Sequence, residues 1–126
     1  MTHSVLVIDD EPITRYLLRR VLEGVGFQVV EAEYGLDALT KIRQEQPDIM
    51  ILDARQQDDA GFAVCRAPQA EGSDRLSVVM LGARTQLATI QEILHTGIAK
   101  YLPKPVSSSD LLAKVEEVMC YAPVGD

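Results

Sequence analysis

Four carboxylates stand where short apolar runs stop. Asp9-Asp10-Glu11 follows Val5-Leu6-Val7-Ile8, and Asp53 closes the run from Asp48 to Leu52. If both runs are strands of one sheet, these acids meet at one edge of it. Left uncompensated, such a cluster repels itself. A hard divalent cation relieves the repulsion. Mg²⁺ takes oxygen ligands in near-octahedral geometry at about 2.0–2.1 Å, keeps several waters and recruits phosphate oxygens. Two or three carboxylates and a backbone carbonyl make an incomplete cage of that kind. Lys104-Pro105 follows a third short run, Lys100-Tyr101-Leu102. A lysine held at the same edge would act as a point charge for an incoming phosphate. Each feature has a plainer explanation alone: an acid ahead of a helix neutralises its N-terminus, and Lys-Pro is an ordinary turn. In combination they describe a site for cation-assisted phosphate chemistry.

Positioning these side chains requires a regular scaffold. Val5–Ile8 is a buried strand by length and β-branching. Pro12 suits the first turn of a helix, with Asp10 or Glu11 near its cap. Leu17, Leu18, Val21, Leu22 and Val25 follow at helical spacing, and Gly24 and Gly26 end the helix. Phe27–Val30 reads as a second strand. A helix starts near Leu36, carries Ala38, Leu39 and Ile42 on one face, and stops before Pro47. Asp48–Leu52 is the third strand, ending on Asp53. Ala54–Gly61 is polar and loop-like, and a helix from Phe62 is interrupted by Pro68 and Gly72. Val78–Leu81 is the fourth strand. Thr85–Thr96 reads as a helix with Gly97 at its C-cap. Lys100–Leu102 is the fifth strand. Ser107, Ser108 or Ser109 caps a last helix bearing Leu111, Leu112, Val115, Val118 and Met119.

The order is strand–helix repeated five times, which predicts an α/β domain with a parallel sheet covered by helices on both faces. In such doubly wound folds ligands bind at the carboxyl ends of the strands, near the point where strand order reverses. Asp9, Asp10, Asp53 and Lys104 all fall at strand ends.

The composition is compatible. The 126 residues suit a single domain, with 47% apolar and 25% charged residues and a formal net charge of −7. That balance argues against disorder, and the acidic excess against direct nucleic-acid contact. Cys65 and Cys120 have no metal-like or CxxC spacing and read as reduced thiols. His3 and His95 are isolated. There is no signal-peptide pattern and no apolar run long enough to span a membrane, so a cytoplasmic location is expected. Residues 122–126 read as a tail or the start of a linker beyond a domain over 1–121.

The chain resembles the receiver domain of two-component response regulators over about residues 4 to 120. The resemblance rests on Val5-Leu6-Val7-Ile8-Asp9-Asp10-Glu11-Pro12, on Pro47-Asp48-Ile49-Met50-Ile51-Leu52-Asp53, and on Gly97-Ile98-Ala99-Lys100-Tyr101-Leu102-Pro103-Lys104-Pro105. It implies a CheY-like, flavodoxin-like (βα)5 fold with strand order 2-1-3-4-5. It further implies a phosphorelay switch rather than an enzyme: Asp53 accepts a phosphoryl group from a histidine kinase or phosphotransfer protein. By the same resemblance Asp9, Asp10, Asp53 and the backbone carbonyl of Arg55 hold Mg²⁺, Lys104 contacts the phosphoryl oxygens, and Tyr101 is an aromatic switch. A homodimer, if formed, would use the face of the fourth helix, fifth strand and fifth helix.

The sequence departs from the family in two places. Gly82 stands where a Ser or Thr usually ends the fourth strand, so the hydroxyl that binds the phosphoryl group is missing; the backbone N–H groups of Gly82 or Ala83 are left to point at it. The loop after Asp53 lacks the usual Met-Pro. Arg84 or Arg55 is a candidate to compensate by pairing with the phosphoryl group. These departures leave an alternative: a degenerate, phosphorylation-independent receiver that serves as an interaction or dimerisation module. Two enzyme classes fit less well. A haloacid-dehalogenase-type phosphatase needs an Asp two residues after the nucleophile, where this chain has Arg55, and a flavodoxin needs a hydroxyl- and Gly-rich loop where it has Asp-Asp-Glu-Pro.

Overall fold

The computed structural model describes residues 3–33, 35–53, 77–82 and 99–120. Within them the chain runs β1 (Ser4–Ile8), α1 (Pro12–Gly24), β2 (Gln28–Ala32), α2 (Gly35–Glu45), β3 (Ile49–Asp53), β4 (Ser77–Gly82), β5 (Ala99–Pro103) and α3 (Ser108–Cys120). The last of these is the fifth helix of the sequence reading. The helices expected from Phe62 and over Thr85–Thr96 lie outside the described residues.

All the strand pairings are parallel, in the order β2-β1-β3-β4-β5. The period-2 alternation of the strands divides the core in two. Leu6, Ile8, Met50, Leu52, Val78 and Met80 face Ala38 and Ile42 of α2. Val5, Val7, Ile49, Ile51, Val79 and Leu81 face Leu18 and Leu22 of α1 and Leu111, Val115 and Val118 of α3. Helices therefore cover both faces, and the central strands are buried along their length, as their unbroken apolar runs require. Fully burying each Leu, Ile or Val contributes about 1.5–3 kcal/mol, so strand order and register are strongly specified.

The ends of the elements follow local chemistry. Pro12 opens α1 with Glu11 at the N-cap, but Glu11 makes no side-chain capping bond. Instead the Glu11 N–H donates to Asp9 Oδ1 at 2.9 Å. Gly26, at φ 98°, supplies the left-handed residue that turns the chain into β2. Ser107 caps α3: its Oγ accepts from the Asp110 N–H at 3.1 Å. Two residues of the helical pattern in α1 are not core. Leu17 is 57% exposed and Val25 55% exposed, because α1 meets the sheet through Leu18 and Leu22 and its flanks overhang.

Order reverses between β1 and β3. The chain moves from β1 out to β2, then crosses back to β3 on the other side of β1. The carboxyl ends of β1 and β3 thus flank an open crevice.

Candidate functional site

Asp9 follows β1 directly. Its N–H continues the β1–β2 ladder to the Ala32 carbonyl at 3.1 Å, its Oδ1 accepts from Glu11, and its carbonyl accepts from Arg15 Nη1 at 2.7 Å. Asp53 is the last residue of β3. Both carboxylates are 1% exposed, whereas Asp10 is exposed at the rim. One oxygen from each of Asp9, Asp10 and Asp53 lies within 4.8 Å of the others.

Lys104 enters from just beyond β5. Its Nζ is 3.0 Å from Asp53 Oδ2 and 3.8 Å from Asp9 Oδ2. Two buried carboxylates are tolerated at this spacing only with opposing charge close by, and the lysine supplies part of it. Its backbone is fixed as well, since the Lys104 N–H donates to the Gly82 carbonyl at 3.0 Å.

That same carbonyl accepts from the Tyr101 hydroxyl at 2.8 Å. Tyr101 is half-buried, with its ring against the α2-side core. Gly82 ends β4 without a side chain, and its backbone oxygen gathers both the aromatic residue and the lysine segment. Parallel register explains the convergence: Met80 pairs with Tyr101 and Gly82 with Pro103.

The structure therefore brings together Asp9, Asp10, Asp53, Lys104, Gly82 and Tyr101. Arg55, Ala83 and Arg84 lie outside the described residues. Sequence reasoning missed Arg15, whose guanidinium reaches the acid-bearing loop. No spacing within α1 signals it, because its partners are the Asp9 carbonyl and Glu31 of the neighbouring strand β2.

The donor set fits Mg²⁺. Carboxylate oxygens are the hard ligands this ion prefers, and a cluster of three carboxylates leaves coordination positions for water and phosphate. Among the described residues, no helix is long and apolar enough to cross a membrane.

The comparisons agree with this geometry. The family model for the response regulator receiver domain matches residues 5–116. The response regulator MprA of Mycobacterium bovis is 34% identical over 119 residues, covering 94% of this chain and 51% of the relative. MprA of Mycobacterium avium is 35% identical over 115 residues, covering 91% and 50%. This chain thus spans about half the length of these curated relatives. Among solved structures, the Vibrio cholerae chemotaxis protein CheY4 matches with a TM-score of 0.82 at 26% identity, covering 94% of this chain and 99% of that one. A response regulator from Thermotoga maritima matches with a TM-score of 0.82 at 26% identity, over 95% and 99%. The protein belongs to the response regulator receiver domain family of two-component systems. Receiver domains interact with histidine kinases or phosphotransfer proteins and bind Mg²⁺ at an acidic pocket.

Proposed function

We propose that this chain is a working phosphoacceptor: Asp53 takes a phosphoryl group from a histidine kinase or phosphotransfer protein in the cytoplasm, with Mg²⁺, and the adduct changes what the domain binds. The observation that carries the reading is the convergence of Asp9, Asp10 and Asp53 within 4.8 Å, with the Lys104 ammonium 3.0 Å from Asp53. A carboxylate is a weak nucleophile, so the chemistry depends on positioning and on charge neutralisation. An Asp53 oxygen forms the new bond to phosphorus, and the donor's nitrogen or oxygen leaves with the electron pair of the bond that breaks. Lys104 turns from its carboxylate partners toward the transferred oxygens as negative charge builds there. Asp9 is held at both ends, by Glu11 and Arg15, and keeps its carboxylate aimed at Asp53. Asp9, Asp10 and Asp53, with the Arg55 carbonyl that the family resemblance implies, would hold Mg²⁺, which would supply further neutralisation of the phosphoryl charge.

An apolar strip on α1 adjoins the site: Ile13, Tyr16 and Leu17 are 74%, 54% and 57% exposed. It is the kind of surface a partner helix covers. The product adds charge and acceptor oxygens beside the Gly82 carbonyl. Tyr101 and the Lys104 backbone share that carbonyl, so a shift of this loop reaches both.

Gly82 favours a second reading, the phosphorylation-independent interaction module, because it offers no hydroxyl to the adduct. One experiment separates the two. The chain is treated with acetyl phosphate and Mg²⁺, then with borohydride, which reduces an acyl phosphate to the alcohol. Homoserine at position 53 supports phosphoacceptor function; unmodified aspartate there supports the interaction module.

A further inference from the structure

We infer that Arg15 is a positioning residue for the cation site: it clamps the Asp9 backbone to strand β2 and thereby sets the direction of the Asp9 carboxylate. The inference rests on the proposed Mg²⁺ site. Arg15 sits on the first turn of α1, where its N–H bonds the Glu11 carbonyl at 3.1 Å. Its side chain is only 15% exposed and turns back under the acid-bearing loop. Nη1 donates to the Asp9 carbonyl at 2.7 Å, and Nε lies 3.3 Å from Glu31 Oε1. Nη1 is also 3.8 Å from Glu33 Oε1. The planar fork of arginine can span two such acceptors at once; a lysine ammonium is a point donor on a flexible stem.

The far end of the clamp is itself anchored. Glu31 lies on β2, in register with Val7 of β1. Its other carboxylate oxygen is 2.6 Å from Arg19 Nη1, and its carbonyl accepts from Lys41 Nζ at 2.9 Å. Residue 31 therefore ties α1, β2 and α2 together, and Arg15 carries that rigidity to Asp9. With the Asp9 N–H on Ala32 and Oδ1 on Glu11, both sides of the residue are fixed, and Oδ2 lies 3.8 Å from Lys104 Nζ. Partners that orient a metal ligand typically change affinity 10–100-fold when removed.

The sign of the effect separates positioning from simple charge. Arg15 is a cation near a cation site, so its charge alone opposes Mg²⁺. Deleting it leaves Glu31 and Glu33 less neutralised, and on electrostatics alone binding would tighten. Loss of orientation weakens it.

The test is calorimetric Mg²⁺ titration of the full chain at fixed ionic strength, for wild type, Arg15→Met, Arg15→Lys and Arg19→Ala, with circular dichroism to confirm folding. Arg15→Met is expected to weaken Mg²⁺ binding by about tenfold or more, and Arg15→Lys by a smaller factor in the same direction. Arg19→Ala leaves residue 31 held by Lys41 and by the β1–β2 ladder, and leaves Arg15 on Asp9, so it is expected to stay within about twofold of wild type. Should Arg15→Met not fold, Arg15→Lys carries the same predicted direction. Unchanged or tighter binding in the folded Arg15 variants, or equal weakening by Arg19→Ala, overturns the positioning role while the Mg²⁺ site stands. A wild-type chain that binds no Mg²⁺ overturns both.

Discussion

Replacing Lys104 with Met removes the cation 3.0 Å from Asp53 and 3.8 Å from Asp9 while keeping most of the apolar stem. At an effective dielectric of about 20, the attractions amount to about 5 and about 4 kcal/mol before the cost of desolvating the groups. Breaking a buried pair from one side typically costs about 3–5 kcal/mol, because the remaining charge is stranded. Lys104 is 25% exposed, while its two partners are 1% exposed. Water therefore screens part of the lysine's contribution, and the expected metal-free loss is about 2 kcal/mol. With a urea slope of about 1–3 kcal/mol per molar, the unfolding midpoint should fall by about 1 M. Saturating Mg²⁺ should then raise the variant's midpoint more than the wild type's, since the ion replaces the missing charge and no longer competes with an ammonium. The assay is urea unfolding of both chains, with Mg²⁺ and with chelator. A variant as stable as wild type in chelator, or a loss that Mg²⁺ leaves untouched, would refute the charge argument.

Other consequences follow from single contacts. Gly82→Ser restores a hydroxyl at the end of β4; a gain of about 1 kcal/mol on the adduct corresponds to about fivefold more phosphorylated chain at limiting acetyl phosphate, read by mass. Unchanged occupancy would mean that position 82 does not reach the phosphoryl group. Tyr101→Phe removes one of two donors to the Gly82 carbonyl, which retains the Lys104 N–H. The loss in urea unfolding should therefore be about 0.5–1.5 kcal/mol, and a much larger one would show that the hydroxyl anchors more than this oxygen. Gln46, just past α2, sits at φ 47°; Gln46→Gly should stabilise the fold by about 1 kcal/mol, and a loss would contradict the left-handed cost assigned there.

The scaffold was legible because its signals are local. Runs such as Val5–Ile8 and Ile49–Leu52 are too short for helices and too apolar for loops, and the structure extends or shifts them only at their ends, β2 to Ala32 and β4 to Gly82. The acidic site was legible for the same reason: Asp9, Asp53 and Lys104 each stop a strand. What escaped depends on register and on which face a helix presents. Arg15 meets Asp9 and Glu31 only because β2 lies beside β1 with Val7 opposite Glu31, a pairing no spacing within α1 reveals. Leu17 fits the helical period of Leu18 and Leu22 yet points outward, since apolar periodicity locates a face without fixing its width. At Gly82 the sequence drew attention to an absent side chain, whereas what the structure engages there is the backbone carbonyl, which accepts from both the Tyr101 hydroxyl and the Lys104 N–H.

The central claim is that Asp53 is a Mg²⁺-dependent phosphoacceptor, and the most direct measurement is intact mass after incubation with acetyl phosphate. It is made with Mg²⁺ and with chelator, on wild type and on Asp53→Asn. The account predicts a single phosphoryl adduct on the wild-type chain in Mg²⁺, little or none in chelator, and none on Asp53→Asn in either. An adduct that persists in Asp53→Asn, or a wild-type chain that stays unlabelled in Mg²⁺, would contradict it.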